Sequence, residues 1–149
     1  MPYTDLSMRL AGKTHLYVLP NRIDIDLTNV CNQDCFYCNS RDFRAKYLVT
    51  GQTNEYINLL EQIGNWRKHI PSSIGSVRNI TFTGGGEPTV HKHIGQIMEH
   101  VIDQGIQACL ITNGSKLHRV VEHMPKDKIK SVGWIGVDID SADPNIYED

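Results

Sequence analysis

The feature that most restricts this chain is an alternation of short apolar runs with helical patterns, each run ending in polar or glycine-rich residues. Arg22 to Leu27 alternates, with Ile23, Ile25 and Leu27 on one face of a strand. Helical spacing follows over 54–70, with Tyr56, Leu59, Leu60, Ile63, Trp66 or Arg67, and Ile70 in phase and Pro71 as the stop. Val77 to Thr83 reads as a second strand. Residues 90–104 read as a helix whose apolar face is Ile94, Ile97, Met98, Val101 and Ile102, with Gly105 at its C-terminal cap. Ile106 to Thr112 is a third strand. Ser115 is placed to cap a short helix carrying Leu117, Val120, Val121 and Met124, closed by Pro125. Ser131 to Ile139 is a fourth strand with Trp134 expected in the core, and Asp143-Pro144 starts a further helix. Ahead of these elements Leu16 to Leu19 reads as a short extended run, and 39–52 as a long loop or irregular helix.

Strands alternating with helices imply an α/β fold, a parallel sheet with right-handed crossovers. The apolar middle strands predict a sheet covered on both faces. Ligands of such sheets bind at the carboxyl ends of the strands. Every candidate motif falls there: a cysteine cluster after the first strand, glycines after the second, Asn113 after the third, and Asp138 and Asp140 at the end of the fourth.

The cluster is Cys31-Asn32-Gln33-Asp34-Cys35-Phe36-Tyr37-Cys38, a C-x3-C-x2-C spacing, while Cys109 lies alone in an apolar run and reads as core. A disulfide framework would spread its cysteines along the chain. Clustered thiolates are soft ligands for an iron–sulfur cluster or for zinc. Three of them can hold three irons of a four-iron cube and leave the fourth open. A zinc site completed by His91 or His93, which follow the glycine loop, is sterically open as the alternative.

The second strand ends in Thr83-Gly84-Gly85-Gly86-Glu87-Pro88. This is neither a P-loop nor G-x-G-x-x-G. Backbone without side chains lets a ligand approach the carbonyls closely, and an ammonium group would suit such a lining. Thr112-Asn113-Gly114 reads equally as a turn or as a polar contribution to a site. Arg41 and Arg44 read as members of a solvated loop. His15, His69, His100, His118 and His123 read as surface residues, and Asp140 and Ser141 are also placed to cap the next helix.

The cysteine spacing with Tyr37 before its last cysteine, followed by Gly85-Gly86-Glu87-Pro88 after the second strand, resembles the radical S-adenosylmethionine (SAM) enzymes. The resemblance runs from about Ile23 to the end of the chain. It implies a [4Fe–4S] cluster on Cys31, Cys35 and Cys38, with SAM chelating the open iron. Reductive cleavage of SAM would give methionine and a 5′-deoxyadenosyl radical that abstracts hydrogen from a substrate. It further implies Tyr37 against the adenine, Gly85, Gly86 and Glu87 near the methionine amino group, Asn113 near SAM or substrate, and Asp138 near the ribose or carboxylate. Serine often stands where this chain has Asp138. A reductase or flavodoxin-type protein would donate the electron. A peptide or protein is the expected substrate, with a small metabolite next.

The family core is usually a six-unit partial barrel. Four βα units are visible here, so the expected fold is an incomplete parallel (β/α) barrel over 21–149, preceded by an N-terminal extension at 1–20. A fragment of a longer enzyme is the expectation. A half barrel completed by a partner chain, and a small activase of glycyl-radical enzymes, are the alternatives. A non-catalytic Cys3His zinc module stands as the reading outside this chemistry.

Composition narrows the partners. The chain has 149 residues, 15 basic and 17 acidic, with a formal charge of −2. No cationic excess exists to drive nucleic-acid binding by counterion release. No apolar run spans a bilayer, and the first residues lack a signal-peptide pattern, so the expected location is the cytoplasm.

Overall fold

A computed structural model describes residues 20–69 and 75–143. Four strands form one parallel sheet in the order β1-β2-β3-β4: β1 Arg22–Asp26, β2 Asn79–Thr83, β3 Gln107–Thr112 and β4 Trp134–Val137. The connecting helices are α1 Arg41–Arg44, α2 Thr53–His69, α3 Ile94–Asp103, α4 His118–Glu122 and α5 Lys126–Ile129. Each strand lies beside its predecessor, the order of a singly wound arc. A doubly wound sheet would reverse direction part-way. The molecule is therefore an incomplete parallel (β/α) barrel, as the alternation implied. Among the described residues no helix is long and apolar enough to cross a membrane.

The register explains the core. Ile25 pairs with Phe82, and Phe82 with Leu110, so these side chains share one face of the sheet. That face buries Leu27, Ile80 and Ala108 as well, against Leu60 and Ile63 of α2 and Ile94, Ile97, Met98 and Val101 of α3. The opposite face differs from expectation. Asp24, Thr81, Cys109 and Trp134 form one register row across it. β2 therefore alternates apolar and polar residues instead of running apolar on both faces. Cys109 is core, fully buried, and burial pushes its thiol pKa up. Trp134 is not core: it is 43% exposed. β4, like β1, is an edge strand of the described sheet, so its side chains lack a neighbour on one side.

Helix α2 settles the choice between Trp66 and Arg67. The Arg67 guanidinium donates to the carbonyls of Gln104 and Gly105 at the end of α3, while Trp66 is 42% exposed. Gly105 has φ +69°, the left-handed conformation that ends α3. The pattern read over 90–104 resolves into a 3₁₀ turn at Pro88–Val90 and then α3. Ser115 does not cap α4. Its backbone N–H and hydroxyl both donate to Asn113 Oδ1, closing a local turn, and the helix starts only at His118. The fourth strand is shorter than its apolar pattern. The extended run at Leu16 to Leu19, His15, the stop at Pro71 and the helix after Asp143 lie outside the described residues. Ser141 Oγ does accept from Asp143 N–H at 3.0 Å, as a cap would.

Candidate active site

The stretch 39–52 is more ordered than a loop. After the cysteines, α1 starts with the Arg41 N–H on the Cys38 carbonyl, 3.1 Å. The chain then returns antiparallel along the exit of β1. Thr28 and Thr50 form a bridge, Asn29 N–H donates to Val49 O at 3.0 Å, and Gly51 N–H donates to Leu27 O at 3.1 Å. The Asn29 side chain adds two bonds, to Tyr47 O and from Val49 N–H, both 2.6 Å. Tyr56 of α2 closes the base by donating to the carbonyls of Asp26 and Leu27. The cysteine loop is thus zipped at its root by backbone and side-chain hydrogen bonds.

Three loops meet above the sheet. Gly86 packs on bare backbone: a Cβ there would lie 2.4 Å from Val30 O and 2.6 Å from Thr28 O. Glu87 N–H donates to Val30 O at 2.9 Å and joins the glycine loop to the start of the cysteine loop. Gly84 has φ +126°, and a Cβ would collide with the Asp26 carboxylate, which accepts from Gly85 N–H at 3.2 Å. Gly85 is different. Its nearest neighbour for a Cβ would be Ser40 Oγ, at an ordinary 3.5 Å. The fold does not require glycine there, since a Cβ would rest in ordinary van der Waals contact with Ser40 and Asn29.

Glu87 is 3% exposed, and its carboxylate points inward. Oε1 accepts from Thr89 N–H at 2.9 Å and from the hydroxyls of Thr89 and Thr112 at 2.6 Å each. Oε2 accepts from Asn113 N–H at 2.8 Å. Asn113 passes the connection on: its Nδ2 donates to Asn32 Oδ1 at 3.2 Å, and Asn32 Nδ2 donates to Ser115 Oγ at 2.8 Å. One network therefore runs from the end of β2 through the end of β3 to the cysteine loop. Asn113 closes the turn and also joins this network.

These elements bound a cleft of about 800 Å³ over the carboxyl ends of the strands. Cys31, Cys35 and Cys38 line it, free and half-buried, opposite Gly85, Gly86 and Glu87. Tyr37, Asn113 and Asp138 complete the residues that the sequence pointed to, and all nine share this space. Tyr37 sits edge-on to Phe36 and is 56% exposed. Its phenol pKa is raised, chiefly by the neighbouring Asp140 carboxylate, which disfavours the phenolate.

His91 and His93 do not line the cleft. His91 is buried, with Nε2 against Gly51 O at 3.2 Å and Nδ1 accepting from His93 N–H at 3.3 Å. His93 Nδ1 is 2.7 Å from Thr53 Oγ1. Among the described residues no three Cys, His, Asp or Glu side chains converge on a point that could hold a single metal ion. Burial holds the His91 pKa below its usual 6.5, with the Gly51 carbonyl opposing and His93 and Lys92 adding to the shift. The unfolded chain therefore binds more protons than the folded one below about pH 6.5. Stability is expected to be full above that pH and to fall as pH drops through the depressed value. Urea midpoints at pH 7.5 and 5.5, compared with those of His91→Gln, check this: an equal pH slope in both proteins removes His91 as the cause.

Sequence reasoning missed Asp26 and undervalued Arg44. Asp26 closes β1 at the strand end where ligands collect, and that position was its one signal. Arg44 has a side chain only 10% exposed, and it lines the cleft with the cysteines.

The family model of the Radical SAM superfamily matches residues 25–149. The chain belongs to the radical SAM superfamily. Among curated relatives it is 28% identical over 123 residues to the S-adenosylmethionine-dependent nucleotide dehydratase of Selenomonas ruminantium, covering 83% of this chain and 40% of that protein. It is 31% identical over 127 residues to a probable GTP 3′,8-cyclase of Methanocaldococcus jannaschii, covering 83% of this chain and 38% of that one. The chain thus spans about two fifths of these relatives. Among solved structures, BtrN in complex with AdoMet and 2-DOIA superposes with a TM-score of 0.52 at 16% identity, over 79% of this chain and 57% of that one. This last likeness concerns the fold alone. As a radical SAM protein the chain is an enzyme by family, and the family implies a [4Fe–4S] cluster and SAM.

The residues present fit both groups. Three free, soft thiolates on one short loop line a single cleft, the donor set of a cluster with one open iron. Beside them lies main chain at Gly85 whose missing Cβ nothing in the fold explains.

Proposed function

We propose that this chain holds a [4Fe–4S] cluster on Cys31, Cys35 and Cys38 and SAM across the strand ends, and that it abstracts hydrogen from a small polar substrate of the nucleotide class. The observation that carries the reading is the single cleft shared by the three cysteines and by the strand-end residues Gly85, Gly86, Glu87, Asn113 and Asp138. When bound, the two groups supply one-electron cleavage of the sulfonium and a carbon radical.

The chain's own residues do the rest. The Gly85 backbone admits the ammonium end of SAM at close range. Glu87 holds the ends of β2 and β3 at a constant separation, so the ligand meets a rigid floor. Tyr37 offers a partly exposed ring face to a flat heterocycle, and Asp138 offers a carboxylate to hydroxyl donors. An external reductase or flavodoxin-type protein supplies the electron. The nucleotide class is favoured over the peptide expected from sequence because the two relatives above act, by name, on nucleotides.

The test uses the full-length protein, reconstituted anaerobically and then given dithionite and SAM. Cysteine-dependent formation of 5′-deoxyadenosine is expected, stimulated by a nucleoside triphosphate. Cys35→Ala should abolish iron incorporation. Iron content unchanged in that variant, or zinc in place of iron in the wild type, would sink the site. Product formation that no nucleotide stimulates would remove the substrate class and leave the site.

A further inference from the structure

Arg44 carries a positive charge that the fold pairs only at a distance, with a carboxylate that another arginine already holds. Its side chain is nine-tenths buried, yet its one charged neighbour among the described residues is Asp34, 3.9 Å away. Asp34 is already taken. Arg41 grips it in a two-bond fork at 3.0 and 2.7 Å, and Arg41, with a smaller contribution from the charge of Arg44, holds that carboxyl below the usual carboxylate range. Arg41 and Asp34 are also both well exposed, so their charges cancel in solvent. A buried guanidinium keeps its charge and is costly to leave unpaired. A further anionic group beside Arg44 would lower that cost.

The surroundings say which. Arg44 lines the main cleft together with all three cysteines. It also lines a side cavity of about 460 Å³ behind Cys31, so Cys31, Gln33 and Arg44 form the wall between the two spaces. Its helix is mounted on the cluster loop itself, since α1 begins with the hydrogen bond from Arg41 N–H to Cys38 O. Arg44 therefore sits on the element that follows the last cysteine and shares a cavity wall with the first.

We propose that Arg44 is the electrostatic counter-ion of the cluster bound by Cys31, Cys35 and Cys38, and that it raises the cluster's reduction potential. The proposal rests on the site reading given under Proposed function. One-electron reduction by an external donor adds a negative charge to a centre that three thiolates already make anionic. A partly desolvated cation beside it lowers the energy of the reduced form more than that of the oxidised form. Arg41 has no such effect, because Asp34 neutralises it.

The experiment is an EPR-monitored redox titration of the reconstituted full-length protein without SAM, for wild type, Arg44→Gln, Arg44→Lys and Arg41→Gln. Arg44→Gln is expected to make reduction at least tenfold less favourable, a shift of about 59 mV to more negative potential for one electron. Arg44→Lys should restore most of the shift, and Arg41→Gln should match wild type. Full cluster loading in Arg44→Gln with a wild-type midpoint overturns the proposal. So does failure of both Arg44 variants to load, which would assign Arg44 to folding of the loop. A wild type that takes up no iron overturns the site reading itself, a result distinct from all of these.

Discussion

Glu87→Ala is expected to destabilise the protein by about 3 kcal/mol or more and to loosen the cysteine loop. The carboxylate is buried and accepts four hydrogen bonds, two from backbone N–H groups and two from threonine hydroxyls. Removing it strands Thr89 N–H and Asn113 N–H away from water, and each buried group left unpaired costs roughly 1–3 kcal/mol. The damage travels, because Asn113 is also the partner of Asn32 in the cysteine loop. Glu87→Gln keeps the volume but turns an NH2 toward donors, so most of the loss should persist. Urea unfolding of the apo protein measures both. A side chain that served only to touch SAM would behave otherwise, with wild-type stability and weakened SAM binding, and that outcome would overturn the assignment of Glu87 as a positioning residue.

Gly86→Ala and Gly85→Ala are expected to separate cleanly although they are neighbours. At Gly86 the new methyl meets main-chain atoms of Thr28, Asn29 and Val30 at 2.4 to 2.6 Å. Backbone on both sides cannot swing away as a side chain can. Overpacking of this kind costs about 1–3 kcal/mol and at times more, and the expected value lies at the upper end. The hydrogen bond from Glu87 N–H to Val30 O would be pushed apart with it. At Gly85 the methyl meets nothing closer than Ser40 Oγ at 3.5 Å, and the stability change should stay within about 0.5 kcal/mol. Gly85 lines the cleft, so its substitution is expected to show in SAM binding instead. Thermal unfolding of the apo proteins, with SAM binding to the reconstituted ones, distinguishes the pair. Equal destabilisation by both substitutions would mean that Gly85 serves the fold and not a ligand.

Much of this architecture was legible locally. Strand and helix periods are properties of neighbouring residues, so Ile25, Phe82 and Leu110 could be placed on buried faces and Ile94, Ile97, Met98 and Val101 on one helix stripe. The thiol spacing and the glycine triplet were likewise readable, because each is a single short loop. Trp134 was misjudged for a tertiary reason: whether an apolar strand is central or at an edge depends on what lies beside it. Ser115 was misjudged because Asn113, two residues earlier, offered its N–H and hydroxyl a nearer acceptor than the helix offered it as a cap.

By itself the sequence determined the chemistry-bearing set, the alternation of elements and the strand ends where that set would gather, since those follow from residue type and local period. Only the tertiary structure decided which members face a ligand and which hold the floor. Glu87 turns inward to Thr112 and Asn113, Arg44 is buried beside the cysteines, Gly86 lies on backbone, and His91 and His93 are committed elsewhere. Each of those facts is a contact between segments distant in the chain. Such contacts exist only after packing has brought the ends of four strands together, and no local periodicity encodes them.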